Sequence, residues 1–363
     1  MESEIERIQK QIKEMQETLI PLKSNTKVSK EELYNILRLI SPGTHLRTAL
    51  DNIVRAGKGA IIAIDNESLS KIIDGGFRVN CRFTPQRLVE LSKMDGAIIL
   101  SKDMKKILQA NVLLTPDNKI KSNETGTRHK AAERTAKQTE TMVIAISERR
   151  HEIVLFYKNI RHVVKNTADL LRKSNEQMQM LEKHRELFDN YLEKLNRSEL
   201  RNSHSINHAI SLVQKGRLIQ KIAEDLKKHI VELGNESTLI KARLREIMQN
   251  VEKETDLVLK DYSKIGLKKS KVLLESLSYE ELLDSDNIKR ALAINEINKQ
   301  ELIKGWRILA KTSLTEQEIA ILTKETGSLA KTIHAGIELY NSILGKEKAA
   351  QFKEEIERIK LSY

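Results

Sequence analysis

The sequence predicts an N-terminal α/β domain with a mixed sheet, then an all-α spacer, then a further all-α domain. Three observations carry this. Short apolar, β-branched runs alternate with helical segments only as far as about residue 160, and all four prolines lie before residue 117. Beyond Tyr157 glycine becomes sparse and apolar residues recur at helical spacing over long stretches. Aromatics make up 4% of the 363 residues and charged residues 31%, the balance of long helices rather than of a β-sandwich.

Residues 1–29 form an extension. Ile5, Ile8, Ile12, Met15 and Leu19 trace one helical stripe, which Pro21 stops. Such a helix is too short to stand alone, so it packs on its own domain or on another copy. The α/β domain is expected over 30–160. It opens with a helix from Lys30 to Ile40, with Leu33, Ile36, Leu37 and Ile40 inward, ended by Ser41-Pro42-Gly43. Residues 59–64, 97–100, 142–146 and 153–157 read as strands, Asn111 to Leu114 as extended, and Asp74-Gly75-Gly76-Phe77 as a tight turn. The spacer is expected over 161–290. Ile160, Val163, Thr167, Leu170, Ser174 and Met178 begin one long helical face, and Ile219, Ile222, Leu226, Ile230 and Leu233 trace another. Gly234 stops that second helix and Ser237 caps the next. Residues 291–363 are again helical.

The segment from Glu124 to Ser147 concentrates the chemistry. A polar loop ends in Gly126-Thr127-Arg128-His129, helix formers run from Lys130 to Thr139, and a strand follows. Free N–H groups at a helix start, beside Thr, Arg and His side chains, form a polyphosphate site. An N-capped surface helix with ordinary charges is the other reading of the same residues. The net charge of +12 is uneven: residues 101–150 hold 11 Lys+Arg against 6 Asp+Glu, residues 201–250 hold 9 against 5, and residues 301–363 hold 10 against 9. The first excess suits an anionic nucleotide, the second suits nucleic acid or an acidic neighbour. A single cysteine, Cys81, excludes an intrachain disulfide; with no apolar run of membrane length and a charged start, MESEIERIQK, the expectation is a cytoplasmic protein.

GTRH, then Lys130, AER and AKQT resemble the Arg-His-Arg block of diadenylate cyclases, and Asp95-Gly96-Ala97 resembles their Asp-Gly-Ala block. The surrounding text, SPGTHLRTALDNIVRAGKGA, LSKMDGAIIL, ANVLLTPD and LVQKGRLIQKIAEDLKKHIVELGNES, is similar to the DNA-integrity-scanning (DisA) branch of that family. The resemblance implies the diadenylate cyclase fold and condensation of two ATP into cyclic di-AMP with release of two pyrophosphates. It implies Asp95, Arg128 and His129 as catalytic residues, with Asp95 holding Mg2+ or Mn2+. Thr127, Arg128, His129, Lys130, Ala131 and Ser147 would bind the triphosphate, and the backbone of Gly96 and Leu114 would border the nucleoside. It further implies a homo-octamer with face-to-face cyclase domains, and branched DNA binding that suppresses synthesis.

Two departures in the cyclase block stand out. Lys130 replaces an arginine, keeping charge but losing the planar fork, and Ala131 replaces a common threonine. A nucleotide-bound DNA-binding scaffold with a weak or silent cyclase is therefore the alternative function. In the tail, Ser342 to Ala349 resembles half of a helix-hairpin-helix motif, with Gly345, Lys346, Lys348 and Lys353 as its DNA-contacting set. Ile343 stands where the motif has glycine, which is expected to distort the hairpin, and the proline-rich turn expected after Gly305-Trp306-Arg307 is Lys311 to Glu316 instead. A helical bundle that no longer binds DNA well is the other reading.

Overall fold

The computed structural model describes residues 28–201, 203, 206–294 and 303–362. The helical stripe expected over residues 1–20 lies outside them. The chain forms two compact units, one running to Thr167 and including Val231–Glu236, the other comprising Ala168–Ile230 and the residues from Ser237 on.

In the first unit, α1 (Lys30–Leu39) and α2 (His45–Arg55) start at Ser29 and Thr44, whose hydroxyls accept the Glu32 and Arg47 N–H groups at 3.1 Å. The strands are β1 (Ala60–Ile64), β2 (Ile73–Asp74), β3 (Phe77–Arg82), β4 (Ala97–Leu100), β5 (Lys106–Leu114), β6 (Val143–Ile146), β7 (Ile153–Tyr157) and β8 (Ile160–Val164). They form one sheet in the order β2-β5-β4-β1-β6-β7-β8, with β3 also paired to β5. Only β1 and β4 run parallel; the other pairs are antiparallel, so the sheet is mixed. β1, β4 and β6 are buried along their whole length, which is why they read as unbroken apolar runs. One sheet face packs Ile62, Ile98, Ile144 and Leu155 against α1 and α2, as well as against Leu88 of α3 (Pro85–Leu91). The other packs Ala63, Ile99, Ala145 and Phe156 against Ala132 and Ala136 of α4 (Thr127–Thr139).

The strand-to-helix change falls later than the sequence texture suggests. Ile160 and Val163 lie in β8, paired with Tyr157 and Val154, and not on a helix. Their spacing from Thr167 fits a helical face, but Lys158 at φ 49° turns the chain back as a hairpin first. The piece Val231–Glu236 belongs to this unit through close packing. Gly234, at φ +53°, sits where any side chain would come within 2.6 Å of the Ser41 hydroxyl, itself at the end of α1.

The second unit is helical: α5 (Thr167–Leu200), α6 (Ile206–Leu233), α7 (Thr238–Ile247), α8 (Val251–Tyr262), α9 (Leu267–Ser276), α10 (Tyr279–Leu283) and α11 (Ser285–Ala291), then α12 (Trp306–Leu309), α13 (Glu316–Thr326), α14 (Leu329–His334), α15 (Ile337–Leu344) and α16 (Lys346–Ser362). The last five share a core of Ile308, Leu309, Leu322, Leu329, Tyr340 and Phe352. Gly345 alone carries the hairpin between α15 and α16, at φ +81°; Ile343 is helical. The distortion expected from Ile343 is therefore absent, because that position never needs a positive φ. The stretch Lys311–Glu316 makes an ordinary helix start, with Thr315 and Glu318 forming a reciprocal capping box.

Candidate active site

Strand register brings the two motif blocks to one end of the sheet. Ile61 is level with Ala97 on the parallel partner, so Gly59, just before β1, and Asp95, just before β4, lie at the same end of two neighbouring strands. Ala60 faces Ile146 on the antiparallel partner, which brings Ser147 to the same edge. Val112 faces Ala97, so the end of β5 with Leu113 and Leu114 arrives there too. Leu114 turns its side chain into the core, while Leu113 is 60% exposed.

Each position has a local cause. Gly96 adopts φ +84°, and a Cβ there would lie 2.8–2.9 Å from the backbone of Asn111 and Val112, so no other residue fits between the turn and β5. Asp95, just before it, is exposed and makes no hydrogen bond or ion pair with a described residue. The Ser147 hydroxyl accepts the Arg150 N–H at 3.2 Å, which leaves its own proton available.

α4 begins at Gly126 without any side-chain cap, so its first N–H groups are open. Thr127 is exposed there; Arg128, His129 and Lys130 are half-buried. Ala131 packs partly against the sheet. The His129 ring meets Phe156 edge-to-face at 6.4 Å. Burial lowers its pKa, Glu124 opposes this, and Arg128, Arg150 and Arg161 add to the lowering, so the ring is neutral at neutral pH. Arg128 lies across Gly59: a side chain at Gly59 would overlap the guanidinium.

The outer face of α4 does different work. Glu133 accepts the Ser122 hydroxyl at 2.5 Å and the Asn123 N–H at 3.0 Å, and pairs with Lys137 at 2.7 Å. Arg134 donates to the Ile120 carbonyl, Lys137 to the Lys121 carbonyl, and Gln138 accepts the Asp117 N–H. Burial alone would raise the Glu133 carboxyl, but Lys137 and Ser122 hold it below the ordinary range. AER and AKQT thus strap down the loop that leads into the helix start. Glu124 at the loop's end is anchored to Arg161 of β8 at 2.5 Å. Glu133, Glu124, Arg161 and Gly59 were not among the sequence candidates; the i, i+4 pair Glu133–Lys137 was the one available signal.

Residues 47–160 match the family described as DisA bacterial checkpoint controller nucleotide-binding, and residues 164–301 match the DisA bacterial checkpoint controller linker region. The chain is 36% identical over 335 residues to the DNA integrity scanning protein DisA of Clostridium beijerinckii, an alignment covering 90% of this chain and 95% of that one. It is 34% identical over 338 residues to the protein of the same name in Clostridium acetobutylicum, covering 91% and 95%. The chain belongs to the DisA family. DisA proteins are diadenylate cyclases, a nucleotidyltransferase activity with ATP as substrate, and their name ties them to DNA integrity scanning.

The DisA nucleotide-binding match encloses every residue of the sheet-end cluster. Among the described residues no group of three His, Cys, Asp or Glu could hold a metal ion, and none of the helices is long and apolar enough to cross a membrane. Asp95, exposed and without a hydrogen-bond or ion-pair partner among the described residues, is free to supply one carboxylate ligand to a cation otherwise held by substrate phosphates and water. The tail candidates lie elsewhere, around Gly345. Lys346 and Lys353 are exposed, whereas Lys348 is already paired with Glu318 at 2.5 Å. That pairing, with the Thr315 cap, holds the Glu318 carboxyl down at about 2.

Proposed function

We propose that the first unit condenses two ATP into cyclic di-AMP, releasing two pyrophosphates, and that the tail couples this to branched DNA. The observation that carries the reading is the convergence of Asp95-Gly96 and Thr127-Arg128-His129 at one sheet end, beside a helix start with open N–H groups. The triphosphate binds at that helix start, where the N–H groups, Thr127, Arg128, Lys130 and the Ser147 hydroxyl meet its charge. His129, neutral, donates a single hydrogen bond without adding charge. Asp95 would hold Mg2+ or Mn2+, which supplies charge neutralisation and acidifies the attacking hydroxyl. Each 3′-hydroxyl attacks the α-phosphate of the other ATP in line, its proton leaves, and pyrophosphate departs. Gly96 and Leu114 border the nucleoside through their backbones.

The product is two-fold symmetric and one domain holds one ATP, so two domains must face each other. An octamer with paired cyclase domains meets that need. In the tail, exposed Lys346 and Lys353 beside the Gly345 hairpin support phosphate contact with junction DNA. One observation favours a second reading, a nucleotide-bound scaffold with a weak cyclase. Lys130 has a single-point ammonium where the family's block has a guanidinium fork.

Incubating purified protein with ATP and Mg2+ or Mn2+, then separating products by chromatography, tests the proposal. Cyclic di-AMP and pyrophosphate in a 1:2 ratio are expected. Bound ATP with no product would leave the scaffold.

A further inference from the structure

Beyond the motif residues, one contact in the cluster involves a residue outside both motif blocks, Gly59. Gly59 precedes β1 and does not use a left-handed backbone, so conformational freedom does not explain it. What occupies its missing side-chain space is the guanidinium of Arg128, with the Ile146 carbonyl oxygen 3.2 Å from the same point. Three elements therefore close on one spot: the start of β1, the end of β6 and the first turn of α4. Arg128 makes no hydrogen bond or ion pair with another described residue, so nothing polar fixes its head. Its location is set by shape alone, by the room that Gly59 leaves.

We infer that Gly59 is a positioning residue for the cyclase reaction: it seats the Arg128 guanidinium at the sheet end where the Asp95-Gly96 turn also lies. The register makes this consequential. Gly59 and the Asp95-Gly96 turn lead into adjacent parallel strands, with Ile61 level with Ala97, so a guanidinium lying on Gly59 brings its charge to the sheet end that carries the carboxylate. An arginine has four rotatable bonds, and freezing them on a binding partner costs affinity unless the fold has restricted them beforehand. The bare backbone of Gly59 supplies that restriction. Any L-residue there displaces the guanidinium, because the overlap is with its terminal nitrogen and central carbon. A side chain that long moves aside at small cost to folding. The loss therefore appears in phosphate binding before it appears in stability.

This inference rests on the proposed ATP site, and a double-mutant cycle separates the two. Four proteins are compared: wild type, Gly59→Ala, Arg128→Ala and the double variant. ATP affinity is measured by calorimetric titration with Mg2+ present, and the thermal midpoint is measured without nucleotide. Gly59→Ala is expected to weaken ATP binding about tenfold, the scale of one charge-assisted hydrogen bond. In the Arg128→Ala background the same change is expected to have almost no further effect on affinity. The midpoint is expected to drop slightly with Gly59→Ala in wild type and less in the Arg128→Ala background, since the clash is gone. Additive losses of affinity, or a Gly59→Ala protein that binds ATP as wild type does, would overturn the inference. Should wild type bind no ATP, the proposed site fails, yet the midpoint arm still decides whether Gly59 seats Arg128.

Discussion

The Asp261 carboxylate accepts the Arg307 backbone N–H at 3.0 Å, as well as those of Gly305 and Trp306 at 2.9 and 2.8 Å. The Arg307 side chain, fully buried, pairs with Glu199 and donates to Asn196, while the Tyr262 hydroxyl donates to Glu199 at 2.9 Å. Gly305-Trp306-Arg307 is thus the point at which the last helices are tied to α5 and α8 within the second unit. Asp261→Ala would orphan three N–H groups at once, two buried and one part-buried, and about 3 kcal/mol of destabilisation is expected. Urea unfolding of the variant against wild type measures it.

The same carboxyl gives a pH dependence. Burial, then the nearby Glu199 carboxylate, raise it to about 7 against the Arg307 and Trp306 N–H donors and the Arg307 charge. The folded chain therefore keeps a proton that the unfolded chain gives up near pH 4. Stability from this group is complete below about pH 4 and is lost as the pH rises through about 7. The thermal midpoint should fall between pH 5 and 8 in wild type, and less steeply in Asp261→Asn. Equal slopes would remove Asp261 as the cause.

His129 titrates in the opposite sense. Its pKa is lowered by burial, so the ring stays neutral at physiological pH and takes up a proton only in acid. An NMR titration should give a midpoint below the ordinary histidine value of about 6.5. Adding ATP should move that midpoint up, because phosphate charge favours the imidazolium. A midpoint that ATP leaves unchanged would take His129 out of contact with the triphosphate.

Asp95→Asn should abolish cyclic di-AMP synthesis while ATP binding falls by a smaller factor. The side chain is exposed and makes no hydrogen bond or ion pair with a described residue, so the variant's thermal midpoint should match wild type. Product formation at a near-normal rate would refute its role in holding the cation.

In the tail, Lys346→Glu with Lys353→Glu should weaken binding to a labelled four-way junction and flatten its salt dependence. The slope of log K against log salt should become shallower by about two, one for each lost phosphate contact. Lys348→Gln should leave affinity within about twofold, since that ammonium is already engaged by Glu318. A larger effect of Lys348 than of the other two would reverse this assignment.

The buried centre of the sheet was legible because Ala97–Leu100 and Val143–Ile146 are covered on both faces and so carry no polar alternation. The edge was not. Phe77–Arg82 alternates exposed and half-buried residues and includes Asn80 at φ 44°, so its apolar signal is weak. The strand Lys106–Leu114 is interrupted by Asn111 at φ 55°, a bulge that hid its first half. Within the site, Asp95, Gly96, Arg128 and His129 stood out through motif order. Gly59 did not, because a glycine needed for another residue's side chain looks, in AGKGAI, like any turn glycine. Only the placement of α4 across β1 reveals the need.

The first unit is not continuous in sequence, since Val231–Glu236 completes it around the Ser41 turn. A ribosome making this chain therefore delivers the unit in two instalments, separated by the whole of α5 and most of α6. The sheet can pair as soon as β8 emerges, but the α1–α2 corner stays uncovered until residue 236 has left the exit tunnel. Synthesis order thus makes α5 and α6 a precondition of the finished nucleotide-binding unit, and a nascent chain stalled within them carries an unsealed one.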